Sequence, residues 1–271
     1  MVNPLLSIVT VVAVIIEIAV PLVLAWRFIR KFKTGWKFFF VGVATFVGSQ
    51  VVHLPLVFGL TAYFKTPAAP QISAGFAPIF NGIVLGLLAG ICEETARWVG
   101  YRLMKGKANS FGGALTLGSG HGGVESIFVG LSVLVSFVTM LALQNGGSAI
   151  SSVLPADQAA LLADQVTAFW AQPWYSPLFG AFERLTAITL HITLSVMVLQ
   201  AVTRHSAGWF IGAVLYHALI DFLAVYLVSL NWSTLAIEAV FGIFMLINIG
   251  WLFRFGRQAK PPEAQQTLLT A

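Results

Sequence analysis

The sequence predicts an all-α, polytopic membrane bundle of about seven transmembrane helices, and three observations predict it. Apolar residues make up 58% of the 271-residue chain and charged residues only 9%, a balance that an ordinary aqueous surface does not tolerate. Seven stretches are apolar over about 20 residues, the length that crosses ~30 Å of hydrocarbon. The basic residues, which give a formal charge of +5, cluster in alternate connections between those stretches, a topological signature. No nucleic-acid partner is expected from a positive charge distributed in this way.

The first span, about residues 4–26, opens the chain without a basic leader or a small-residue cleavage site, so it is read as retained rather than as a signal peptide. Spans two to seven follow at about 37–60, 76–101, 111–143, 177–202, 207–229 and 233–253. Five basic residues lie between Arg27 and Lys37 and three between Arg102 and Lys107. Arg204 occupies the fifth connection, and Arg254, Arg257 and Lys260 follow the last span. Lys65 is the sole basic residue in the opposite set. The bias places the N-terminus outside and the C-terminus in the cytoplasm. Trp26, Trp36, Trp174, Trp209, Trp232 and Trp251 fall at span ends, where an aromatic belt belongs.

The connection from 144 to 176 contains no Lys or Arg and is expected to face outward. Within it, Leu162, Val166, Phe169 and Trp170 recur at helical spacing, which predicts an amphipathic interfacial helix at about 156–171. Residues 1–260 thus read as one transmembrane helical domain. Residues 261–271, which begin with Pro261 and Pro262 and continue polar, read as a disordered cytoplasmic tail. Cys92 is the only cysteine, which excludes an intrachain disulfide and a thiolate metal cluster.

Spans three to six carry ten ionisable residues: Glu93, Glu94, Arg97, His121, Glu125, Glu183, Arg184, His191, His217 and Asp221. Each charge near the bilayer centre costs roughly 2.5–3.5 kcal/mol, so these groups must meet one another or water. These four helices are therefore the expected core around a polar site, wrapped by the other three. At about 1.5 Å per residue, Glu93, Glu94, His121, His191 and His217 all reach one level in the inner half of the membrane. Glu125 and Asp221 each follow a histidine by four residues and share its face. They are read as orienting the imidazoles or, alternatively, as acting directly. Glu183 and Arg184 lie nearer the outer side, where an ion pair to neighbouring helices and contact with substrate are both open. Five carboxylates against two arginines require protonated carboxyls, charged histidines or a bound cation. An ionised glutamate beside a histidine is the equipment of a general base for water.

Gly82, Gly86 and Gly90 form a small-residue stripe on span three, against which another helix can pack closely. Glu17 is expected to face the bundle with a hydrogen-bond partner, and His53 to lie near the outer surface.

The motif-bearing segments are CEETARWVGYRL, with Glu93, Glu94 and Arg97; GSGHGGVESIFVG, with His121 and Glu125; FERLTAITLH, with Glu183, Arg184 and His191; and LYHALIDF, with His217 and Asp221. In this order, on four successive spans, they resemble the glutamate-dependent intramembrane endopeptidases of the CAAX-processing and bacteriocin-processing superfamily, and within it the YhfC-like bacterial branch. The resemblance implies hydrolysis of membrane-embedded peptide or protein substrates without a covalent enzyme intermediate. It gives Glu93, or Glu94 in exchange, the activation of water with His121 or His191. It gives His217 and Asp221 the stabilisation of the oxyanion, and Arg97 the holding of the glutamate pair. His191 follows Ala187, where the superfamily usually has an aromatic four residues earlier. The arginine also follows the glutamates by one residue fewer than in the eukaryotic prenyl-protein enzymes, so a prenylated substrate is not implied. No metal is the favoured reading, because Arg97 would compete with a cation for a ligating carboxylate. Zinc on His121, His191 and His217 is the alternative. Two other classes fit the residues: an ion- or proton-coupled transporter, and a non-catalytic membrane immunity or scaffold protein that keeps the fold.

Overall fold

The computed structural model describes residues 2–107, 109–151 and 154–258. They form eight helices and, among the described residues, no strand: α1 (Pro4–Phe32), α2 (Trp36–Phe64), α3 (Ala77–Leu103), α4 (Phe111–Ser151), α5 (Ala156–Ala171), α6 (Ser176–Thr203), α7 (Ala207–Ser229) and α8 (Thr234–Gln258). All but α5 are long and apolar enough to cross a membrane. The tail expected to be disordered, 261–271, lies outside the described residues.

Exposure follows from lipid as solvent. Ile8, Phe40, Val51, Phe58, Val135 and Leu246 are exposed although they sit within the spanning helices, because no hydrophobic penalty attaches to apolar side chains facing hydrocarbon. The most enclosed helix is α6, in which Leu190 through Val196 are all buried. It packs on α1, α3, α4, α7 and α8. Helix α4 does not stop near residue 143 but continues to Ser151, 41 residues in all, or about 60 Å. Its C-terminal end therefore projects beyond a ~30 Å hydrocarbon layer. There α5 folds back onto it: Trp170 is buried with Leu6 and Phe137, Val166 and Phe169 pack alongside, and the Trp170 indole donates to the Met140 carbonyl at 3.4 Å. The apolar face of α5 thus meets the bundle itself.

Two close helix approaches bring the polar residues together. The α3 glycine stripe meets α7, and a methyl added at Gly86 would lie 2.5 Å from the Ala218 carbonyl oxygen. On α4, a methyl at Gly122 would lie 2.8 Å from Cβ of His191 on α6. Without side chains at these positions the backbones draw close. Glu94 of α3 can then reach His217 of α7, and Glu125 of α4 can reach His191 of α6.

Candidate active site

Consecutive residues on α3 point to different partners. Glu94 is fully buried, forms an ion pair with Arg97 one turn on, and accepts from Nδ1 of His217 at 2.8 Å. Glu93 is buried beside it. Its Oε2 is 3.0 Å from Nε2 of His121 and 3.9 Å from Nε2 of His217, and its Oε1 accepts from the Gln50 amide of α2 at 3.1 Å. Arg97 therefore serves Glu94 and leaves Glu93 free of any guanidinium bond. Its second nitrogen, Nη2, donates to Nδ1 of His191 at 3.1 Å.

These bonds set the imidazoles. Arginine only donates, so Nδ1 of His191 accepts and its Nε2–H points to Oε2 of Glu125 at 2.7 Å. Glu94, with Arg97 as counter-ion, takes the proton-bearing Nδ1 of His217. Nε2 of His217 then faces Glu93 and, at 3.5 Å, Oδ2 of Asp221. At His121, the Thr45 hydroxyl donates to the Gly42 carbonyl at 2.7 Å and its oxygen contacts Nδ1 at 2.9 Å, so the ring is wedged between Thr45 and Glu93.

The expected candidates separate into two groups. Glu93, Glu125, Glu183, Arg184, His191, His217 and Asp221 line a cavity of about 270 Å³, walled on its apolar side by α7 and α8 residues such as Ile220, Phe241 and Phe244. Glu94, Arg97 and His121 stand behind that wall, fully buried. Arg184 reaches from the rim to Oε1 of Glu125 at 2.8 Å and pairs with its neighbour Glu183, whose side chain is about half exposed.

Of the two partnerships that four-residue spacing suggested, the structure forms one. Glu125 pairs with His191 of α6 rather than with His121 of its own helix, because the His121 ring turns toward α2 and α3. Asp221 faces the open Nε2 of His217, while Glu94 occupies the orienting position at Nδ1. Sequence reasoning passed over Thr45, Gln50 and Asn248. Asn248 is buried, lines the cavity and accepts from the Tyr216 hydroxyl at 3.0 Å. All three are uncharged, so a count of ionisable groups does not find them; the polar run of Ser49, Gln50 and His53 in span two was the available signal. Glu17, expected to have a partner, is buried with Oε2 unbonded.

A cation fits the residues present. Glu93, His191 and His217 each offer a ligand atom, and the three atoms lie within 4.8 Å of one another. One carboxylate and two imidazoles form a donor set of the catalytic-zinc kind. Support of His217 at Nδ1 by Glu94 is the arrangement that fixes a ligating imidazole. Ligation through Nε2 of His191 would move the ring proton to Nδ1, where Arg97 now donates, and would release Oε2 of Glu125 from its present bond. The trio differs from the three histidines expected from sequence, since His121 stands behind Glu93. The objection that Arg97 would compete for the ligating carboxylate applies to Glu94 and not to Glu93.

A sequence model of the family described as YhfC intramembrane metalloprotease matches residues 16–242. The chain is 29% identical over 254 residues to the "Uncharacterized membrane protein YhfC" of Bacillus subtilis (strain 168), a match covering 89% of this chain and 93% of that protein. No solved structure matches it. Seven apolar helices of spanning length and a family match over most of its length make this chain a multi-pass membrane protein that belongs to the YhfC intramembrane metalloprotease family.

Proposed function

We propose that this protein hydrolyses peptide bonds of membrane-embedded substrates at a metal centre held by Glu93, His191 and His217. The observation that carries the reading is the convergence of those three ligand atoms within 4.8 Å, on the wall of a cavity that three further carboxylates also line. A cation bound there would polarise the scissile carbonyl and make a water molecule acidic enough to attack at neutral pH.

With Glu93 as a ligand, the role of base passes to Glu125. Arg184 anchors its Oε1, which leaves Oε2 to take the proton of the attacking water and return it to the departing amine. Asp221 faces the same space beside His217. Arg97 and Glu94 act through His217 and His191, holding both rings in position. Gln50 and His121 hold Glu93, the first through Oε1 and the second through Oε2. The apolar α7 and α8 wall suits the side chains of a substrate segment that arrives from lipid. In the orientation that the basic connections favour, the N-terminus is outside, the C-terminus is cytoplasmic and the cavity lies in the inner half of the membrane.

A second reading, metal-free hydrolysis with Glu93 as base, draws on the 3.0 Å contact between Glu93 and His121. The two separate in one experiment: cleavage of a membrane-protein library by the protein reconstituted in vesicles, with a chelator series and metal analysis. The metal reading expects bound zinc in the wild type, lost in His217→Ala, and cleavage abolished by chelation and by Glu93→Gln. Cleavage that survives chelation but not Glu93→Gln supports the metal-free reading. An unchanged pattern in both variants would remove the protease reading, and loss of ion flux in Glu93→Gln without any cleavage would point to a transporter.

A further inference from the structure

Far from the polar cavity, at the end of the bundle where α1 and α8 finish, lies a recess of about 430 Å³ between α1, α4 and α8. Phe28, Phe111, Leu252 and Phe253 line it, and its rim carries Lys31 from the last turn of α1 and Arg257 from the last turn of α8. We propose that this recess binds an anionic phospholipid, with one acyl chain among the aromatic side chains and the phosphate between Lys31 and Arg257.

Three observations support the assignment. The inner end of α8 meets α4 at Gly256, where an added methyl would lie 2.9 Å from the Phe111 ring, and the space beside that contact is lined by aromatic and aliphatic side chains. In a bilayer such a gap fills with hydrocarbon. Second, neither Lys31 nor Arg257 forms an ion pair among the described residues. Among the described residues no carboxylate lies at this end of the bundle: each Asp or Glu belongs to a mid-helix position, to the α5 segment or to the outer end of α8. Third, the two cations come from separate helices yet border one recess, and Lys31 is held over the Phe32 ring with its nitrogen 5.4 Å from the centroid. Basic residues in a last helical turn also complement the helix dipole. That effect asks only for a charge at each helix end and gives no reason for an aromatic recess between them. Basic pockets between transmembrane helices at a membrane edge select anionic head groups. A choline head group would set a second cation beside Lys31, Arg257 and the exposed Arg254.

The test uses the full chain in detergent, titrated with phosphatidylglycerol or phosphatidylcholine and read by native mass spectrometry. The wild type is expected to retain phosphatidylglycerol in preference. Lys31→Gln with Arg257→Gln is expected to lower that retention roughly 25-fold, about fivefold for each charge removed near the membrane surface. Arg102→Gln with Lys107→Gln, at a different connection, is expected to leave it unchanged. Equal retention of the two lipids, or equal losses in the two double variants, would overturn the proposal. A photoreactive phosphatidylglycerol supplies a measurement on the wild type alone: crosslinks on Phe111, Leu252 or Phe253 support the site, and crosslinks spread over the lipid-facing surface overturn it. Neither readout involves proteolysis, so the result stands apart from the function proposed above.

Discussion

Glu94 and Glu17 are both buried carboxylates in the middle of membrane helices, 0% and 2% exposed, yet their surroundings differ. Glu94 has Arg97 on its own helix and His217 from α7. Glu17 has an unbonded Oε2 close to Gly130, where an added methyl would lie 3.2 Å from that oxygen, and among the described residues the side-chain bond it receives goes to its backbone carbonyl, from the Ser126 hydroxyl at 2.7 Å. Burial alone therefore does not mark a site. What distinguishes the centre is that several helices deliver complementary groups to one carboxylate, so that each bond fixes the orientation of the next.

Arg97→Met is the severest way to break that distinction. It strips Glu94 of its counter-ion and His191 of the donor at Nδ1, and uncompensated buried charge typically costs about 3–5 kcal/mol. Denaturant unfolding in detergent should register a loss of that size; a change below ~1 kcal/mol would mean that the pair is not the keystone of the centre. Glu94→Gln keeps the shape but weakens the hold on His217. Loss of an outer partner lowers metal affinity about 10- to 100-fold, so dialysis against graded chelator should strip zinc from this variant at correspondingly lower chelator strength. Glu17→Gln sharpens the contrast from the other side. With no partner to lose at Oε2, it should change stability by no more than ~1 kcal/mol and leave metal retention at the wild-type level. A metal loss equal to that of Glu94→Gln would show that both carboxylates belong to one coupled network.

Much of this was legible in the chain. The crossing helices followed from apolar length, and the crowding of charge on spans three to six marked α3, α4, α6 and α7 as the site helices. The pairings were not legible. The spacing of His121 and Glu125 placed them on one face of α4, yet Glu125 serves His191 and His121 serves Glu93. Glu93 and Glu94 were interchangeable in sequence, whereas in the fold one lines the cavity and the other stands behind it. Gln50 and Thr45 escaped notice because helix α2 carries no charge at this level, although both touch the centre.

The amino-acid order by itself determined which segments enter the membrane and which of them carry polar groups, because transfer into hydrocarbon depends on local composition and length. Only the tertiary structure decided which carboxylate meets which imidazole. That choice rests on helix rotation and on backbone approach at Gly86 and Gly122, where the absence of a side chain sets how near α7 and α6 can come. A helix face is periodic in sequence, but its partner is a neighbour in space, and the direction of each hydrogen bond is settled only when both are present.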